Sequence, residues 1–87
     1  MNAHIRITTE IVTITPELAT AMLGKNVKNR KPARYHIEKL SHDMANGDWQ
    51  LTGDAIRFDS DGNLIDGQHR LLACIKADAP FRTIVMY

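Results

Sequence analysis

The clearest chemical pattern in the chain is Asp66-Gly67-Gln68-His69-Arg70-Leu71. Apolar residues that read as a strand precede it, a glycine bends the chain, and a helical apolar period follows. The first N–H groups of a helix have no intrahelical acceptor and lie at the positive end of its dipole. Gly67 lets an anion come close to the backbone. His69 and Arg70 fall in the first turn, where the dipole alone favours acids. Two donor side chains there fit a bound anion, so Gly67, Gln68, His69 and Arg70 form a candidate phosphate cradle, with Asp66 as its supporting cap. The plainer reading is an ordinary helix start, with Asp66 as N-cap and Arg70 at the surface.

A second candidate is basic. Lys25, Lys28, Arg30, Lys31, Arg34 and Lys39 stand against Glu38 between residues 25 and 42, a local balance of +5. Residues 43–66 carry Asp43, Asp48, Asp54, Asp59, Asp61 and Asp66 against Arg57, a balance of −5. The formal net charge is only +1, so the whole chain has no polyanion-binding signature. One reading makes these two solvated surfaces that partly neutralise each other. The other makes Lys25, Lys28, Lys31 and Arg34 contacts to a nucleic-acid backbone, with the acidic stretch keeping the far side soluble. No aromatic residue interleaves the basic run before Tyr35, which argues against a base-stacking platform.

Other constellations carry less. Asp59, Asp61 and Asn63 imitate the opening of a calcium loop, but Leu64 stands at the required glycine position and Arg70 at the acidic twelfth. His36 and His42 are six apart, on different helical faces, and His4 reads as a solvated terminal residue; no metal ligand is assigned. Asp54, Asp59, Asp61 and Asp66 are carboxylates a nuclease could gather on a divalent ion, although turn and cap roles explain each. Cys74, the single cysteine, falls on the packed side of a helix and reads as an inert small hydrophobe, and one cysteine excludes an internal disulfide. No catalytic residue is assigned.

The elements that must position these residues are legible in outline. Ile5–Thr9 and Glu10–Ile14 are β-branched and alternating, which fits one or two short strands. Thr15-Pro16 predicts a helix start, Leu18, Ala21 and Met22 its apolar stripe, and Gly24 a left-handed end. Residues 26–31 read as a polar loop. After Pro32, the positions Ala33, Ile37, Leu40 and Met44 predict a helix from about Ala33 to Asn46, closed by Asn46-Gly47, with Trp49 packing over the core from the connector. Asp59-Ser60-Asp61-Gly62 predicts a hairpin turn between residues 55–58 and 63–65. A third helix over 67–77 places Leu71, Leu72, Cys74 and Ile75 inward, and 81–86 is a final strand. The order β-α-α-β-β-α-β predicts a single small α+β domain over residues 1–87, a short mixed sheet with three helices.

In that setting the motif Asp66-Gly67-Gln68-His69-Arg70 resembles the phosphate-binding helix start of the ParB/sulfiredoxin superfamily. The resemblance spans roughly Thr13 to Met86. It takes in the polar stretch Asn26–Arg30, the segment from Leu40 to Trp49, the run Asp59–Ile65 and the closing strand, which look like phage and bacterial proteins of this group. It implies that Gly67, Gln68, His69 and Arg70 hold nucleotide phosphates and that Arg30 assists. No cofactor is fixed by it; a nucleoside triphosphate with magnesium is the candidate. Sulfiredoxins place their catalytic cysteine where Gln68 stands, so that chemistry is not implied. ParB proteins carry a DNA-reading helical domain after this one; these 87 residues do not include it, so partition-site binding is not implied either.

Hydrophobic residues make up 44% of the chain and charged residues 24%, ordinary for a globular domain and too apolar for a disordered one. No apolar run reaches the roughly 18–20 residues of a membrane span, and residues 1–6 lack a signal-peptide pattern, so a cytoplasmic chain with no membrane partner is expected. A domain this short has little room for a deep pocket; a shallow site or a homodimer is easier to accommodate. Three functional readings follow. The first is a module recognising the phosphates of a nucleotide or of DNA. The second is a small phage-encoded interaction protein that binds a host protein, for instance one of a defence system. The third is a weak NTPase or nuclease on the same fold.

Overall fold

A computed structural model describes residues 7–25, 32–51 and 54–87. The elements run β1 (Thr9–Ile14), α1 (Pro16–Leu23), α2 (Arg34–Ala45), β2 (Ala55–Phe58), β3 (Leu64–Asp66), α3 (Gln68–Ala77) and β4 (Phe81–Met86). The expected order and α+β class are both present.

Four strands form one mixed sheet in the order β1-β4-β2-β3. β1 and β4 pair antiparallel from Thr9↔Met86 to Ile14↔Phe81, β2 and β4 pair parallel, and β2 and β3 pair antiparallel with a bulge. Burial alternates along β4: Phe81, Thr83 and Val85 point into the core while Arg82 is exposed. Phe81 and Val85 join Ile14, Ile56 and Leu64 of the sheet, Ala19 of α1, Met44 of α2, and Leu71, Ala73 and Cys74 of α3 in one core. α3 is the central helix, packed against both α1 and α2.

Local signals account for most boundaries. The Thr15 hydroxyl accepts from the Leu18 amide at 3.2 Å and Pro16 occupies the first turn, where its missing N–H costs nothing. α2 closes with Gly47 at φ +73° while Asp48 N donates to Asp43 O at 2.9 Å and Gly47 N to Met44 O at 3.3 Å, a Schellman end. Within the β2–β3 turn, Asp59 Oδ1 accepts the amides of Asp61 and Asn63, each at 2.9 Å, and Gly62 takes φ +83°. The Asn63 amide is the largest of the bonds that hold the Asp59 carboxyl below its ordinary range. Asp59 therefore serves its own turn. Trp49 covers the core as expected: its ring meets Phe81 edge-on at 5.2 Å and its Nε1–H donates to Arg82 O at 2.9 Å.

Several expectations are corrected. Gly24 is right-handed (φ −63°), because the chain leaves α1 through a further turn, with Lys25 N bonded to Met22 O, and needs no left-handed residue. Ala33 lies before α2 and is exposed; it is the cap position and not part of the stripe. On α3, Ile75 is 38% exposed and Ala73 is fully buried. Contacts with both α1 and α2 bury Ala73, whose small side chain allows the close approach, and leave Ile75 on the outer side of the helix. Among the described residues the N-terminal β region holds the strand Thr9–Ile14, in keeping with the expected one or two; residues 1–6 and the polar loop at 26–31 lie outside the described residues.

Candidate functional site

The β3–α3 junction brings the motif to one place. Gly67 is the cap residue of α3 at φ +107°, and a Cβ there would collide with Ile56 Cδ1 on β2. Only glycine permits both the bend and this contact, so α3 starts hard against the sheet. No side chain caps the helix, and its first backbone bond is Leu71 N to Gly67 O at 3.1 Å. The amides of Gln68, His69 and Arg70 are thus left without intrahelical acceptors.

This helix start opens on a cleft of about 480 Å³. His36, Leu40 and Asp43 of α2 form one wall, Asp48, Trp49 and Asp54 of the connector another, and Asp66, Gly67, His69 and Arg70 the third. Of the residues expected to cradle phosphate, Gly67, His69 and Arg70 line the cleft; Gln68 does not, and contributes only its place in the first turn.

Arg70 is not a surface side chain. It is 14% exposed, its Nη2 donates to Ala55 O at 3.2 Å, and Asp66 Oδ1 lies 3.9 Å away. Its Nη1 is buried with no hydrogen-bond partner, the sole such side-chain N or O among the described residues. A buried guanidinium N–H without an acceptor is costly, and it belongs to a residue that lines the cleft. Asp66 is not the cap. It precedes the cap residue, and its carboxylate sits between Arg57 and Arg70, each at 3.9 Å.

His69 does something the sequence does not announce. Its Nε2 accepts the Ala33 amide at 2.9 Å, which ties the start of α3 to the start of α2 and places the ring proton on Nδ1. The His36 ring meets it edge-on at 5.5 Å. His69 is therefore a brace with Nε2 committed to the Ala33 amide, and Nδ1 is the ring nitrogen it has left.

The acidic stretch is also corrected. It does not lie on a far side: Asp43, Asp48, Asp54 and Asp66 line the same cleft as the helix start. Asp59 is held in its turn and Asp61 is exposed at the tip, so of the four carboxylates considered for a nuclease only Asp54 and Asp66 reach the cleft. Among the described residues, no three His, Cys, Asp or Glu side chains are grouped so as to hold a metal ion by themselves.

Of the basic candidates, the two described ones, Lys25 and Arg34, do not line this cleft. Lys25 lines a separate cavity with Met22, Phe58 and Tyr87, and Arg34 is exposed at the start of α2. Lys28, Arg30 and Lys31 lie outside the described residues. Cys74 is buried, and its thiol donates to Ala79 O (3.2 Å) and toward Ile14 O (3.6 Å). Burial first, then the charges of Glu17 and Asp78, push it up to about 11, the behaviour of an unreactive thiol.

No protein-family model, curated protein or solved structure matches the chain. Among the described residues, no helix is long and apolar enough to cross a membrane.

Proposed function

We propose that this protein is a cytoplasmic, ParB-like module of the phage and bacterial kind that recognises the phosphates of a nucleotide at the N-terminus of α3. The observation that carries the reading is Arg70: its Nη1 is buried and unpartnered, on a residue that lines the cleft beside an uncapped helix start. The amides of Gln68, His69 and Arg70 supply further donors, and a cleft of about 480 Å³ falls within the roughly 300–1,000 Å³ of small-ligand sites.

The wall chemistry favours one ligand form. Asp43, Asp48, Asp54 and Asp66 repel a bare polyanion, which weighs against DNA in this cleft and toward a nucleotide carrying magnesium. Magnesium is commonly held by one or two carboxylates together with substrate phosphates, so it needs no preformed cage of protein ligands. The carboxylates that would hold the ion are among the aspartates lining the cleft. Bound there, magnesium would neutralise phosphate charge; the protein's part is to bind and orient. Arg30 and the lysines at 28 and 31 remain candidate assistants from the segment before α2.

A thermal-shift comparison tests this. Nucleoside triphosphates with magnesium at about 100 times their Kd add ~2.7 kcal/mol, which raises Tm by roughly 10–20 °C in a domain this small. Nucleotide without magnesium and duplex DNA should shift it far less. Arg70→Lys, which keeps a cation but not the planar fork, should lose most of the shift. No shift with any nucleotide would discard this reading in favour of the interaction-protein one, for which exposed Ile11, Tyr35 and Ile65 offer apolar contact surface. Phosphate release by the parent protein would instead support the NTPase reading.

A further inference from the structure

We infer that the edge of β1, which is unpaired among the described residues, is a dimerisation surface, on which a second copy of this chain docks its own β1 antiparallel about a twofold axis through Ile11.

The phase of the β1–β4 ladder fixes which groups are free. Thr8 and Tyr87 exchange both hydrogen bonds, Thr8 N to Tyr87 O at 3.2 Å and Tyr87 N to Thr8 O at 2.9 Å. Antiparallel pairs alternate, so Glu10, Val12 and Ile14 bond to β4 while Thr9, Ile11 and Thr13 aim N–H and C=O out of the sheet. Those three residues are symmetric about Ile11. In a twofold antiparallel pairing Ile11 meets Ile11 of the second copy, and Thr9 meets its Thr13. Every outward N–H and C=O of the strand then finds a partner, and no group on the edge is left over.

The side chains agree with that register. On the uncovered sheet face, Ile11 (55% exposed) stands beside Ile84 on β4, and pairing sets the two copies' Ile11 side by side in a continuous apolar row. Glu10 is the strand's single charge. It accepts from Tyr87 Oη at 2.8 Å, and in this register it faces Val12 of the second copy, so the two carboxylates are not opposed. The strand also lacks the usual guards. Its sequence Thr-Glu-Ile-Val-Thr-Ile has no proline, glycine or basic residue, and its pairing is regular throughout. The opposite edge, β3, is guarded: three residues long, bulged against β2, and ending in Asp66.

Sedimentation velocity and a cysteine scan test the register. The parent chain should sediment as a concentration-dependent dimer. Ile11→Pro deletes an N–H that the β4 ladder does not use, and should give a monomer with unchanged far-UV circular dichroism. Ile11→Cys should cross-link to itself with a short bifunctional thiol reagent, because the paired Cα atoms lie about 5.5 Å apart. Thr9→Cys and Thr13→Cys should each react at least tenfold more slowly, their symmetry mates being four residues away along the strand. Buried Cys74 stays silent in all of them. A parent chain that is monomeric at NMR concentrations, or equal cross-linking at the three positions, overturns the proposal. If Ile11→Pro unfolds, the cysteine scan, which leaves the strand intact, still decides.

Discussion

A methyl group on Gly67 would strike Ile56 Cδ1 and lie 3.3 Å from Ile56 Cα, on a backbone at φ +107° that L-residues rarely adopt. Gly67→Ala should therefore destabilise the fold by about 3 kcal/mol, combining overpacking with left-handed strain, and urea unfolding measures it. The glycine is needed by the scaffold whether or not a ligand binds, and the site inherits the geometry. Cys74 gives a second residue-level expectation. Its raised thiol pKa means that the folded state holds the proton more tightly than the unfolded chain. The associated stability is complete below pH 9 and declines as pH rises from 9 toward about 11. Thiol labelling at neutral pH should be slow in the native protein and should follow global unfolding when urea is added.

At the scale of elements, α3 ends on Asp78, left-handed at φ +50° and the one non-glycine residue with positive φ among those described. An acid at a helix C-terminus also opposes the dipole. Asp78→Gly should raise stability by about 1 kcal/mol, seen as a Tm increase of roughly 4–8 °C. The elements themselves were readable because their signals are local. Thr15-Pro16, Asn46-Gly47 and Asp59–Gly62 each act within a few residues, and each structure they predicted is present. Ile75 was expected inward and is exposed, and Ala73 went unnamed, because one helix's period cannot reveal where two other helices pack against it. The site was half legible. Gly67, His69 and Arg70 do share a cleft, but the bond from Ala33 to His69 and the burial of Arg70 against Ala55 join residues far apart in sequence. The aspartate wall was missed for the same reason: only the fold of the connector carries Asp48 and Asp54 to the helix start.

Across the whole molecule, the helices cover one sheet face and place the cleft at the α2–α3 end, while β1 leaves an unguarded edge. The proposed nucleotide site and the proposed dimer surface use different residues, so loss of one should leave the other intact. The segment 43–66 has a balance of −5, and four of its aspartates face the cleft, so nucleotide affinity should depend on magnesium more steeply than on monovalent salt. The most direct test of the central claim is a titration of the ¹⁵N-labelled protein with a magnesium nucleoside triphosphate, followed by amide and arginine Nε–H resonances. The account predicts the largest shifts at Gln68, His69 and Arg70, with the Arg70 Nε–H moving alongside. Shifts that are absent, or that gather at Met22, Phe58 and Tyr87 around the second cavity while α3 stays still, would contradict it.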